Sequence, residues 1–215
     1  MTAQALSLRA LADDLAGTFP GADDAPLARA LLALLARGEP VTHEQLAAET
    51  NRPAAEVKAA LASWPNVHRD GRDAVIAFSG LSLRPTKHRF DVGGRELFTW
   101  CAWDTLFLPA LLEQPADVRS TCPLTRMPVR LRVDPAGIAD AEPADLRVSF
   151  PALASASTAD IVESFCCHVH FLAAPDAAQR WLGEHPGGRV LDRHDAHEIG
   201  RRATARLRTG AAAAG

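Results

Sequence analysis

The stretch from Phe98 to Leu108, FTWCAWDTLFL, constrains this chain more than any other. It is aromatic and apolar, its only ionisable groups are the Cys101 thiol and the Asp104 carboxyl, and a segment of that composition belongs inside a fold. Read as a helix, it sets Cys101 and Asp104 on one face, because positions i and i+3 are neighbours there. A buried carboxylate without a partner is costly, so Asp104 needs hydrogen-bond donors or a chemical task. Backbone donors beside a core cysteine would meet the first need; a second cysteine-bearing stretch points to the other.

That second stretch is Ser164 to Leu172, SFCCHVHFL, rich in β-branched and aromatic residues and read as a short strand. Strand side chains alternate, which places Cys166, His168 and His170 on a polar face and Cys167, Val169 and Phe171 on an apolar one. On this register Cys166 faces a site and Cys167 packs as a small hydrophobe. A helical start at Cys166 would undo the register.

Together these stretches resemble the organomercurial lyases (alkylmercury lyases) of bacterial mercury resistance. The resemblance rests on Trp100-Cys101-Ala102-Trp103-Asp104-Thr105-Leu106, on Ser120 to Pro128 with Cys122 inside it, and on Ser164-Phe165-Cys166-Cys167-His168-Val169-His170-Phe171. It is strongest over residues 85–200. It implies that Cys101 and Cys166 bind mercury, that Asp104 donates the proton, that Cys122 is structural and that Cys167 is dispensable for chemistry.

The rest of the chain bounds these readings. Its 215 residues suit one or two domains, and 47% hydrophobic content is enough for a core. A formal net charge of −3 gives no general attraction to nucleic acid or an anionic membrane. No basic leader opens the sequence, and the apolar run ending near Leu112 is too short to span a bilayer, so a cytoplasmic location is expected. Reduced thiols are the rule in that compartment. Zinc is disfavoured, because a Cys-Cys-x-His run cannot easily wrap one tetrahedral ion.

In chain order, helical spacing covers residues 5–17 and 26–37, with Pro20-Gly21 as a breaker. Thr42 to Gln45 forms a capping box opening a third helix, and Pro53 opens a fourth that runs to about Trp64. Asp70-Gly71 then marks a hairpin between residues 67–69 and 74–78. Helices followed by a β-wing spell a winged-helix layout. Its would-be recognition helix, Ala54 to Trp64, carries only Lys58 against Glu56, and the wing mixes Arg69 and Arg72 with Asp70 and Asp73, which is not a phosphate-binding face. Residues 1–80 are therefore expected to form a structural or lid-forming domain. Strands are expected at 87–92, 118–122, 129–133 and 146–150, with turns at Gly93-Gly94 and 134–137. Helices are expected at 160–164, 175–185 and 195–208. The expected fold class is α+β: the winged-helix-like domain, then a catalytic domain over 81–209 of mainly antiparallel strands with flanking helices, then a disordered tail at 210–215.

Mercury(II) is soft and prefers thiolates, and coordination strips a thiol of its proton, so substrate would generate its own ligands. The resemblance implies protonolysis of the carbon–mercury bond to a hydrocarbon and Hg(II), with Asp104 relaying the proton and then serving as a weak oxygen ligand. Apolar burial beside thiolates would raise the carboxyl pKa, as a general acid requires. Trp100, Trp103, Phe98 and Phe107 are candidates for an apolar pocket, with core packing the competing role. His168 and His170 are expected mainly to hydrogen-bond. No glycine-rich phosphate loop is present, and no organic cofactor is expected. Expected partners are organomercurials, low-molecular-weight thiols and a mercuric reductase for Hg(II). The competing classes are a thiol-based metal sensor with a DNA-binding winged helix and a cysteine or zinc hydrolase.

Overall fold

The computed structural model of the chain describes residues 3–152 and 161–208. Four helices come first: α1 (Ala3–Ala16), α2 (Ala25–Leu35), α3 (His43–Thr50) and α4 (Ala54–Ser63). Leu27, Leu31, Leu32 and Leu35 of α2 recur at helical spacing and are wholly buried. The capping box forms at α3, where Gln45 N donates to Thr42 Oγ1 at 3.2 Å and Thr42 N to Gln45 Oε1 at 2.8 Å. Past α4, Trp64 stacks on Phe78 with ring centroids 5.3 Å apart and donates its indole N–H to Asp24 at 2.8 Å. The wing is the hairpin of β1 (His68–Arg69) and β2 (Val75–Phe78), and the Asp70 carboxylate accepts the backbone N–H groups of Arg72 and Ala74 inside its turn.

The wing does not end its sheet. β2 pairs with β3 (Leu81–Ser82), β3 with β5 (Arg95–Thr99), and the sheet continues through β4 (His88–Val92), β6 (Ala116–Thr121), β7 (Pro128–Asp134) and β8 (Gly137–Glu142). All eight strands are antiparallel neighbours in the order β1-β2-β3-β5-β4-β6-β7-β8. β6 and β7 alternate buried and exposed residues, so one face is packed and the other carries ion pairs such as Arg132–Asp117 at 2.9 Å. A second, three-stranded sheet sets β9 (Arg147–Phe150) between β10 (Phe171–Leu172) and β11 (Arg189–Asp192).

The remaining helices are α5 (Asp104–Leu112), α6 (Ile161–Ser164), α7 (Pro175–Glu184), α8 (Arg193–Ala203) and α9 (Ala205–Arg208). α5 lies against α8, α2 and β7, and every one of its residues except Ala110 is buried. Its close approach to α8 depends on Gly200, where a Cβ would stand 2.9 Å from that of Phe107. The class is α+β, with antiparallel sheets and flanking helices. Among the described residues no helix is long and apolar enough to cross a membrane.

Both site-bearing stretches depart from the expected local structure. Phe98 and Thr99 close strand β5, Trp100 to Trp103 turn, and only Asp104 onward is helical. Gly93-Gly94 accordingly joins β4 to β5 and does not lead directly into the helix. The β-branched and aromatic residues at the front of the run pair with β4 and β3, and tertiary pairing overrides the helical reading. Ser164 to Leu172 is not one strand: α6 ends at Ser164, Cys166–His168 is a 3-10 turn, and only Phe171–Leu172 pairs, with β9. Strands β3, β5, β8 and β11 add to those expected. The expected tail, 210–215, lies outside the described residues.

Candidate active site

Thr99 is the last residue of β5, and the chain there is held on both sides. Trp100 N donates to Gly80 O at 2.9 Å, and Thr99 Oγ1 donates to Cys101 O at 2.9 Å. The turn closes on the first residue of α5, where Asp104 Oδ2 accepts the backbone N–H of Cys101 at 2.8 Å. Asp104 therefore anchors the loop that presents Cys101, and the two side chains meet although no helix contains both. Room for the carboxyl comes from Gly80, whose φ of +94° favours glycine and whose Cβ, if present, would lie 2.5 Å from Asp104 Cγ.

The second thiol arrives on the 3-10 turn after α6. Such a turn advances about 120° per residue, so consecutive side chains point apart. Cys166 is buried and Cys167 is exposed, donating its thiol to Glu163 O at 2.7 Å. Cys166 faces inward as the strand register proposed, but Cys167 is not the core hydrophobe that register predicted. The two turns are tied together by Ala102 N, which donates to Val169 O at 3.3 Å.

The result is a cluster in which the Cys101 sulfur, an Asp104 oxygen and the Cys166 sulfur all lie within 4.8 Å of one another, each residue buried. Burial raises the Asp104 carboxyl to about 7, even though hydrogen bonds from the Cys101 thiol and backbone act to lower it. Burial likewise lifts the Cys101 thiol well above its ordinary value, helped by its hydrogen bond with Cys166 and by the Asp104 charge. At Cys166 the hydrogen bond with Cys101 acts to lower the value, and burial with the Asp104 charge outweighs it, leaving that thiol raised. The pocket thus favours neutral thiols and a carboxyl able to hold a proton near neutral pH. Two sulfurs and one oxygen form a donor set for a soft cation.

An apolar cavity of about 30 Å³ adjoins Asp104 and Cys166. Trp100 and Trp103 line it, as do Leu15 and Phe19 of the α1 end, Gly80 and Phe165. Trp103 is also a core residue, donating its indole N–H to Ala196 O at 3.1 Å and meeting Phe107 edge-on at 4.8 Å. Phe107 is wholly core, and Phe98, half-buried on β5, lines neither this cavity nor the cluster. The α1 residues were not legible as wall, because helical spacing marks only an apolar face and not what it meets. Nothing in the sequence around Gly80 marks it as a neighbour of Asp104.

Cys122 lies away from the cluster, in the turn between β6 and β7, where Cys122 N donates to Met127 O and Arg126 N to Cys122 O, both at 2.9 Å. Burial acts to raise its thiol, but donors from Thr125, Leu124 and Ala173 bring it below the ordinary value. The buried His88 ring bonds Ser120 Oγ at 2.9 Å, and burial lowers it to about 3. Burial lowers His170 to about 4, so both rings are neutral at pH 7. The His168 ring packs against His185 with centroids 5.6 Å apart.

Comparison with known proteins finds relatives of both parts of the chain. The family profile for alkylmercury lyase matches residues 81–205, and one for the helix-turn-helix domain of alkylmercury lyase matches residues 7–79. An alkylmercury lyase of Streptomyces lividans is 47% identical over 182 residues, covering 85% of this chain and 83% of the relative. One from Bacillus cereus is 44% identical over 175 residues, covering 81% and 79%. Among solved structures, the mercury-bound form of MerB2 superposes with a TM-score of 0.74 at 25% identity, over 93% of this chain and 98% of that one.

Proposed function

The chain belongs to the alkylmercury lyase family, and on that premise we propose that it cleaves the carbon–mercury bond of alkyl and aryl mercurials by protonolysis, with Cys101 and Cys166 as thiolate ligands and Asp104 as proton relay. The observation that carries this reading is the buried Cys101–Asp104–Cys166 cluster with its carboxyl raised to about 7.

The cycle balances without an organic cofactor. One cysteine displaces the exchangeable ligand X of R–Hg–X, forming a sulfur–mercury bond as X leaves with the thiol proton. The second cysteine adds to mercury, and its proton passes to Asp104. Added sulfur donation weakens the bond to carbon. Asp104 then delivers its proton to carbon, R–H departs, and Hg(II) is left bridging the two sulfurs, with the carboxylate as a third, weaker ligand. A carboxyl at the ordinary value near 4 would be ionised at pH 7 and a poor donor; burial corrects that. Excess small thiol removes Hg(II), and a mercuric reductase is a further acceptor in our reading. Residues 1–80 act here as a wall: Leu15, Thr18, Phe19 and Asn66 close the apolar cavity over residues 81–209, the part of the chain that holds all three reacting groups.

The test is to incubate reduced protein with phenylmercuric acetate and excess 2-mercaptoethanol, following benzene by gas chromatography and inorganic Hg(II) in parallel. Repeated turnovers with one benzene per Hg(II) are expected. Tight mercury binding with no benzene would overturn the lyase reading in favour of a sequestering or sensing protein.

A further inference from the structure

Cys166 borders two cavities. The apolar one lies toward Asp104; the other, of about 240 Å³, is lined by Lys87, His88, His170 and Cys167, and shares only Trp100 and Cys166 with the first. Cys101 is wholly buried and lines neither. The second cavity is firmly built. Thr86 Oγ1 donates to Thr99 O at 2.6 Å, fixing the segment before β4 onto β5, and His88 is held by Ser120. It differs from its neighbour in size and charge: it is several times larger, and its one cationic side chain is Lys87, both histidines being neutral at pH 7.

We propose that this second cavity is the docking site for small thiols bearing a carboxylate, which remove product Hg(II) by attacking it on the Cys166 side while the carboxylate sits against Lys87. The inference rests on the lyase reading above. Geometry assigns the separate entrance. An anionic thiol entering the apolar cavity would lose its hydration with no cation to replace it, whereas the Lys87 side offers one. A narrow apolar cavity suits the organic group of the substrate instead. Trp100, common to both, stands as the partition.

The exchange conserves electrons. The incoming thiol forms a sulfur–mercury bond, the mercury–Cys166 bond breaks, and the proton lost by the incoming thiol ends on the Cys166 sulfur. A second thiol repeats the exchange at Cys101, so that Hg(II) with two protein thiolates and two small thiols becomes two protein thiols and a mercury dithiolate. Nothing is oxidised or reduced. The order is set by burial: Cys166 is released first because Cys101 faces no opening.

The experiment loads the full-length protein with one equivalent of Hg(II), adds either 3-mercaptopropionate, which is anionic, or 2-mercaptoethanol, which is neutral and of similar size, and measures mercury left on the protein by rapid desalting. For Lys87→Glu, release by 3-mercaptopropionate should slow about tenfold and release by 2-mercaptoethanol less than about twofold, the selectivity that charge reversal close to a carboxylate gives. Lys87→Ala should show the same selectivity at about threefold, and Lys87→Arg should restore it. Equal losses with both thiols, or no loss with either, would overturn the proposal. Each variant is compared with itself across two thiols, so a general folding defect cannot imitate the result. Benzene formation by the unmodified protein reports on the lyase reading separately.

Discussion

Two turns meet at the site and solve one problem differently. The 100–103 turn is held by the side chain proposed to relay the proton: Asp104 accepts the Cys101 N–H, and Gly80 makes the room. The 165–169 turn is held by its own backbone, with His168 N donating to Phe165 O at 3.0 Å and Val169 N to Cys166 O at 3.1 Å. In the first, structure and chemistry reside in the same carboxyl and cannot be altered separately. In the second, the pitch of a 3-10 turn sends Cys166 in and Cys167 out, and neither thiol is an acceptor for the turn's backbone N–H groups. Damage to the first turn should therefore cost stability along with activity, and damage to the second activity alone.

The largest effect should come from Cys166→Ala, which in the proposed cycle abolishes turnover, a loss of at least about 10⁴-fold, as when a nucleophile is deleted. Its melting temperature should stay close to that of the unmodified protein, and robust benzene turnover by this variant would sink the two-thiol mechanism. Asp104→Ala should bind phenylmercury but protonate carbon about 10²–10³-fold more slowly in single-turnover assays, the scale of a lost general acid. Unlike the cysteine change, it should also destabilise by about 1–3 kcal/mol in urea titrations, because the buried Cys101 N–H loses its acceptor. Asp104→Asn, which keeps an oxygen for that N–H, sharpens the contrast: most of the stability should return and little of the rate.

Gly80→Ala presses on the same carboxyl from outside. A Cβ at 2.5 Å from Asp104 Cγ, on backbone at φ +94°, should cost about 1–3 kcal/mol and slow cleavage by about tenfold or more. Equal activity and stability would mean that the turn adapts without moving the carboxyl.

The pH dependence of stability probes the same carboxyl. A carboxyl raised to about 7 in the fold, from 3.8, holds a proton in the native state that the unfolded chain has released, so between about pH 4 and 7 it makes stability fall as pH rises. His88 and His170, lowered to about 3 and 4, act in the opposite sense over much of that range. The carboxyl is isolated by subtraction: the stability of Asp104→Asn relative to the unmodified protein should grow from pH 4 to 7, by at most about 1.4 kcal/mol per unit, and level off above. A flat difference would show that the carboxyl titrates normally. The smallest effect belongs to Cys167→Ser, with turnover within about twofold, since its thiol is exposed and bonds Glu163 O; complete loss in a folded variant would move the proposed reacting role to the neighbouring thiol.

Most of the helical N-terminal layout was readable because its signals are local. The Thr42–Gln45 box, the Asp70-Gly71 turn and the leucine spacing of α2 each act within a few residues. Neither site stretch is the regular element its residue pattern predicts. Trp100 to Trp103 turn because strand pairing with β3 and β4 claims the residues before them, and Cys166–His168 coil because Ala102 N and the β9 pairing of Phe171 fix the chain on that side. Such contacts span many residues, and no periodicity records them.

What the sequence by itself determined is the chemistry available: two thiols and one carboxyl in apolar surroundings, which can serve a soft metal because sulfur and burial are properties of residue type and context. Only the tertiary structure decided that Cys101, Asp104 and Cys166 converge within 4.8 Å, that Cys166 rather than Cys167 turns inward, and that Cys166 opens on two cavities. The physical reason is that convergence depends on backbone hydrogen bonds between distant turns and on space left by Gly80, and those exist only once the sheet and α5 have packed.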